Sequence, residues 1–250
     1  MSEHAPTRDQ HRPAAIRQRL AESTRHDYLA DAVLGGIDGC VTTFAVVAGA
    51  TGGALSPLVV IILGFANLLA DGFSMAVSNY HGTRSERELV EQKRRTEERH
   101  VEQVPEGERE EIRQIFARKG FQGEVLEEVV QTITANRRLW IDTMLTEEHG
   151  LQLEGPDPLR AGATTFAAFV AVGLVPLLPY LVPGVAVATM FAVSAVLTGA
   201  AFFAIGWVKG ARLQQPCLRS AWQTLWTGGA AALLAYGAGW GLRALFGAGA

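Results

Sequence analysis

The chain has 250 residues, 48% of them hydrophobic, and a formal net charge of -3. No segment carries the basic excess that phosphate neutralisation needs, which excludes a bulk nucleic-acid binder. Charge is also segregated: residues 84–160 hold 13 Lys/Arg against 18 Asp/Glu, while 161–250 hold four basic residues and no acidic one. That is the pattern of a membrane protein with a polar insert, not of one soluble domain.

In chain order, the opening stretch MSEHAPTRDQHRPAAIRQRL is polar and has no apolar h-region, so a cleaved signal peptide is not expected. Residues 1 to about 12 read as disordered. From Pro13 to Ala30, Ile16, Leu20 and Tyr28 lie among charges. That segment is either an amphipathic helix lying on a membrane surface or a solvated helix leading into the first span. Residues 1–30 are accordingly read as an N-terminal arm.

Five apolar stretches then reach the roughly 20 residues that cross a hydrocarbon core. They run at about 31–50, 57–81, 161–182, 185–208 and 220–246. ATGGALSP separates the first two and VPG the third and fourth, so both pairs read as antiparallel hairpins. Many of these runs are apolar on every face, which disfavours buried helices of a soluble core. Lys and Arg concentrate in the arm, in 84–160 and in KGARLQQPCLRS, and the hairpin turns have none. The positive-inside rule then places the N-terminus and 84–160 in the cytosol, and five spans carry the C-terminus to the opposite side. Cys40 and Cys217 fit neither a disulfide framework nor a C-x-x-C metal site.

The second stretch contains NLLADGFSMAVSNY, in which Asn67, Asp71, Met75 and Asn79 recur every four residues and share one helix face. Asp38, in GGIDGCVTTF of the first stretch, is the other acidic residue well inside a span; Asp31 stands at its interfacial end. An aspartate at a helix centre costs about 2.5–3.5 kcal/mol on insertion scales. Two in one hairpin point to an ion or proton pathway, against the alternative of a protonated carboxyl bonded to Asn67 or Thr42. The Met75 thioether, one turn from Asp71, is a soft ligand and favours a transition metal on that path. Gly35, Gly36 and Gly39 allow a second backbone to come close beside Asp38.

The insert is helical by pattern over SERELVEQKRRTEERHVEQV, EGEREEIRQIFARKG, and about 123–135 and 137–149. Val125, Val129, Ile133, Leu139, Trp140 and Met144 are its candidate core. Glu97 and His100 form an E-x-x-H pair, and Glu108 and Glu111 an E-x-x-E pair. Met144, Glu147 and Glu148 lie on one face of the last helix. On spacing alone these are either ligands converging on a shared metal or solvated faces balanced by neighbouring Arg and Lys. No nucleophile–base arrangement or nucleotide motif appears, so an enzyme is not expected.

DAVLGGIDGCVTTFAVVAGATGG, GFANLLADGFSMAVSNY, VPLLPYLVPG and LRSAWQTLWTGGAAA resemble the vacuolar iron transporter family, from about Tyr28 to the last span. The resemblance implies an all-α homodimer with five transmembrane helices per chain. Spans 1–2 fall in 31–83, a cytosolic helical metal-binding insert in 84–160, and spans 3–5 in 161–250. It implies a multi-pass protein of the cell membrane in a bacterium or of the vacuolar membrane in a eukaryote. The activity implied is export of ferrous iron, often also manganese, from the cytosol in exchange for protons, with the cytosolic domain gathering metal near the pore mouth. By position, the pore residues are Asp38 and Met75, and the insert ligands are Glu97, His100, Glu108, Glu111, Met144 and Glu148. Asn67 stands where the family often has Glu, with Asp71 one turn later; His100 replaces a Glu and Leu145 a second Met. An imidazole there leans the site toward zinc, cobalt and nickel. A manganese-selective exporter is the near rival. A membrane-anchored metal sensor or buffer is the distant one, and an anchor has no use for Asp38 and Asp71.

Overall fold

The structure is a computed structural model that describes residues 12–22 and 26–246. Of the stretch expected to be disordered, residues 1 to about 12, all but the last lie outside the described residues. Helix α1 (Pro13–Glu22) begins on a proline, which fits a first helical position, and is shorter than the expected 13–30 segment. The next helix starts at Leu29, and residues 23–25 lie outside the described residues. All elements among the described residues are helical. The described residues divide into two compact units, one falling within 27–81 and 158–250 and the other within 1–26 and 82–157.

The first unit contains α2 (Leu29–Gly52), the part of α3 (Pro57–Gln103) up to His81, α7 (Pro158–Gly173), a 3₁₀ segment (Val175–Leu181), α8 (Val187–Arg212) and α9 (Cys217–Phe246). Elements α4 to α6 belong to the second unit and are given below. Between α2 and α3 the chain turns at Ala54, whose φ is 57°, and Pro57 opens the new helix. By length and apolarity three helices, α2, α3 and α8, can cross a membrane, and α7 with the 3₁₀ segment makes a fourth candidate. Helix α9 is long enough at 30 residues, but glycine, threonine and tryptophan dilute its hydropathy.

The third predicted span, 161–182, is not one straight helix. It bends by 42° between α7 and the 3₁₀ segment. Pro176 and Pro179 explain the break, because neither can donate to the helical ladder. The Ser194 hydroxyl of α8 donates to the Pro176 carbonyl at 2.7 Å, satisfying a group the break leaves without an intrahelical partner.

Helix α2 lies at the centre of this unit, against α7, α8 and α9. The glycines beside Asp38 do bring a backbone close, but it is that of α7, not of the hairpin partner α3. A Cβ on Gly35 would lie 2.2 Å from the Thr165 carbonyl oxygen, and one on Gly39 would lie 2.3 Å from that of Phe169. Phe44, Val47, Leu68, Phe169, Leu177 and Tyr180 fill the apolar core between these helices. Gly39→Val should therefore destabilise the unit by at least about 1–3 kcal/mol, the usual cost of overpacking, because the clash is with backbone that cannot rotate away. Thermal unfolding of the detergent-purified protein checks this, and an unchanged midpoint would refute it.

In the second unit α3 continues without interruption to Gln103, where the sequence suggested a separate helix. It is followed by α4 (Pro105–Arg118), α5 (Gly123–Thr134) and α6 (Arg137–Glu147). Pro105 begins α4, and the Asn136 side chain caps α6 by accepting from the Leu139 amide at 3.1 Å. Ile112, Ile115, Val130, Ile133, Trp140 and Met144 form the core. Val125 and Leu139, expected inside, are exposed; Val130, Ile141 and Leu145 are buried instead.

Candidate functional site

Both units bring polar side chains together. In the first, the Thr42 hydroxyl donates to the Asp38 carbonyl one turn back at 2.9 Å, and it accepts from Asn67 Nδ2 at 3.2 Å. This bond ties α2 to α3. Asp38 and Asp71 each stand one turn from a partner in it. Met75 packs against the apolar core instead of standing free. Asn79, the last member of the stripe, donates to Asp31 Oδ1 and to Thr165 Oγ1, both at 2.7 Å. The four-residue stripe thus splits: Asn67 and Asp71 join Asp38, while Asn79 joins Asp31.

In the second unit α3, α4 and the end of α6 bring carboxylates and imidazoles together. Ligand atoms of Glu97, His100 and Glu108 lie within 4.8 Å of one another, and so do those of Glu97, Glu148 and His149. His100 Nδ1 is 3.3 Å from Glu108 Oε1, and His149 Nε2 is 3.0 Å from Glu97 Oε1. Glu97 is 2% exposed and Glu108 3%. In both, Oε2 is buried with no hydrogen-bond partner. Leaving such lone pairs unsatisfied is costly, and a cation between them would satisfy both.

Neighbouring charges confirm the crowding. Burial, reinforced by Glu111, Glu97 and Glu148, pushes the Glu108 carboxyl up to about 7. Burial raises Glu111 as well, with Glu148 and Glu97 adding and His100 and His149 opposing. The surface glutamates behave differently: Glu102 pairs with Arg137, Glu110 and Glu127 with Arg113, and Glu147 with Lys119 at 2.6 Å. Among the described residues neither Glu97 nor Glu108 pairs with Lys or Arg. This distinguishes the cluster from the balanced solvated faces around it.

Glu97, His100, Glu108, Glu111 and Glu148 are therefore brought into one neighbourhood. Met144 is fully buried in the core of the same bundle, one turn from Glu148. Glu147 is turned toward Lys119 instead. His149 was not found by spacing, because it lies beyond the last turn of α6, where the helical repeat no longer applies. Glu147→Gln should leave metal affinity within about twofold of wild type, since a solvated pair contributes little. Calorimetric titration of the full chain checks this; a large loss would bring Glu147 into the cluster.

The model of the VIT family matches residues 29–240. The chain is 34% identical to the vacuolar iron transporter of Toxoplasma gondii over 90% of this chain and 78% of that one. It is 33% identical to vacuolar iron transporter 1 of Arabidopsis thaliana over 85% of each. With vacuolar iron transporter 1 of Eucalyptus grandis the identity is 32%, covering 92% of this chain and 89% of the relative.

Proposed function

Because the chain belongs to the VIT family, we propose that it is an integral membrane antiporter that moves ferrous iron out of the cytosol in exchange for protons, with manganese as a second substrate. The observation that carries this reading is that two apolar helices bring Asp38 and Asp71 to either side of the Thr42–Asn67 bond, each one turn from it. A carboxylate can hold either a cation or a proton. Asn67 and Thr42 fix the helices that present them. Met75 supplies the one soft atom of the stripe, and Asn79 with Asp31 makes a further polar station on the same helices.

In this reading α2, α3 to His81, α7 with its 3₁₀ continuation, α8 and α9 are five spans. The N-terminus and residues 84–160 are cytosolic, the C-terminus lies on the far side, and two copies form a homodimer, as the family resemblance implies. The cluster of Glu97, His100, Glu108, Glu111 and Glu148, with Met144 beside it, captures the cargo metal. An anchored sensor would need the cluster but not the intramembrane carboxylates.

Purified protein in liposomes, loaded with an iron(II)-quenched dye and given a pH gradient, tests the proposal. Metal uptake that requires the gradient, with matching proton movement, is the expected result. Metal binding without gradient-driven uptake would leave only the sensor reading.

A further inference from the structure

After Glu147, the end of α6, the chain reverses tightly. The amides of Glu148 and His149 both reach the Met144 carbonyl, at 3.0 and 3.3 Å, and the Leu151 amide reaches that of Leu145 at 2.9 Å. Gly150 has φ 65°, the left-handed conformation that glycine adopts most readily at a helix end. This turn leaves the His149 side chain only 19% exposed, with Nε2 3.0 Å from Glu97 Oε1 and 3.8 Å from Glu148 Oε2. The buried second oxygen of Glu97 has no partner. Glu97 therefore stands between two groups of possible ligands, one ending in His100 and Glu108, the other in Glu148 and His149.

We propose that His149 is a direct ligand to the cargo metal, and that with His100 it makes the cytosolic cluster a two-imidazole site selecting zinc-like ions over manganese. The inference rests on the reading of that cluster as metal-binding. Its chemistry is that of the donors. A neutral imidazole adds no charge, so it gives little to manganese, which is held mainly by charge and oxygen. It gives more to ions that favour nitrogen, in the order manganese, iron, cobalt, nickel, with zinc also strong. The bland alternative is that His149 only hydrogen-bonds Glu97 and holds it in place.

Glutamine at this position keeps a donor for Glu97 and removes the imidazole, so His149→Gln separates the two roles. Full-length protein in detergent is titrated calorimetrically with Zn²⁺ and with Mn²⁺, alongside His149→Glu and Glu97→Gln. His149→Gln should weaken Zn²⁺ by about tenfold or more, with a much smaller change for Mn²⁺. His149→Glu should strengthen Mn²⁺ binding without recovering the preference for Zn²⁺. A second readout is independent of affinity: with Co²⁺ bound, wild type should show hyperfine-shifted exchangeable imidazole N–H signals from both histidines, and His149→Gln should lose one. If His149→Gln keeps the zinc preference and both signals while Glu97→Gln loses metal, the cluster binds metal without His149, which overturns this inference alone. If Glu97→Gln binds as wild type does, the metal-binding reading of the cluster falls too.

Discussion

Asp38→Asn and Asp71→Asn should each cut gradient-driven metal transport by at least about 100-fold, the scale of losing an obligatory proton-transfer group. Folding should be unaffected, because the Thr42–Asn67 bond that joins the two helices uses neither carboxylate side chain. An amide can still coordinate a cation weakly through its oxygen, but it cannot take up a proton at neutral pH, so exchange stops even where binding survives. Met75→Leu makes a useful contrast. It keeps the packing against the apolar core and removes only the thioether, so it should alter the preference among metals more than proton coupling. Liposome flux assays with each variant measure all three. Wild-type rates in both Asp variants would reduce Asp38 and Asp71 to hydrogen-bonding groups of a structural hairpin.

The metal-free protein should lose stability as pH rises from about 5 to about 8, the opposite of ordinary acid denaturation. Glu108 carries the effect, with its carboxyl raised from 4.5 to about 7 and facing Glu97, Glu111, Glu148 and His100. Between those values the folded state holds a proton that the unfolded state has released, so raising the pH favours unfolding. Stability from this group is present below 4.5 and is lost by the time pH passes about 7. Allowing for solvent screening, the loss should be about 1–2 kcal/mol. A divalent ion replaces the proton, so the same ion should raise the unfolding midpoint more at pH 8 than at pH 5.5. Glu108→Gln, neutral throughout, should flatten the pH profile of the metal-free protein. Hydrogen exchange over residues 97–148 at the two pH values, with and without metal, measures this. A flat wild-type profile would mean the cluster is wetter than its burial suggests.

Much of this arrangement is legible in the residue order, because burying a charge in an apolar run is costly enough to stand out. Asp38 and Asp71 needed no coordinates. The E-x-x-H and E-x-x-E spacings likewise place Glu97, His100, Glu108 and Glu111 on converging helix faces. Three things were not legible, each for a physical reason. Which helix a glycine face meets is a tertiary fact, and Gly35 and Gly39 meet α7. Glu147 and Glu148 look equivalent in sequence, yet a 100° step around the helix sends one to Lys119 and leaves the other with His149. His149 itself depends on the left-handed turn at Gly150, which spacing rules for helices do not cover. The bend after Gly173 was written in Pro176 and Pro179, but a hydropathy window does not register it.

That bend has a consequence for how the protein is made. Helix α7 has 16 residues, about 24 Å at 1.5 Å per residue, short of the roughly 30 Å of a hydrocarbon core. The 3₁₀ segment completes the distance, but the Pro176 carbonyl finds its partner only in Ser194 of the following helix. A nascent chain that has emerged only to Leu181 therefore presents lipid with an unsatisfied backbone group. The insertion machinery should hold α7 until α8 arrives and release the two together, so ribosome-arrested chains ending before Val187 should integrate poorly.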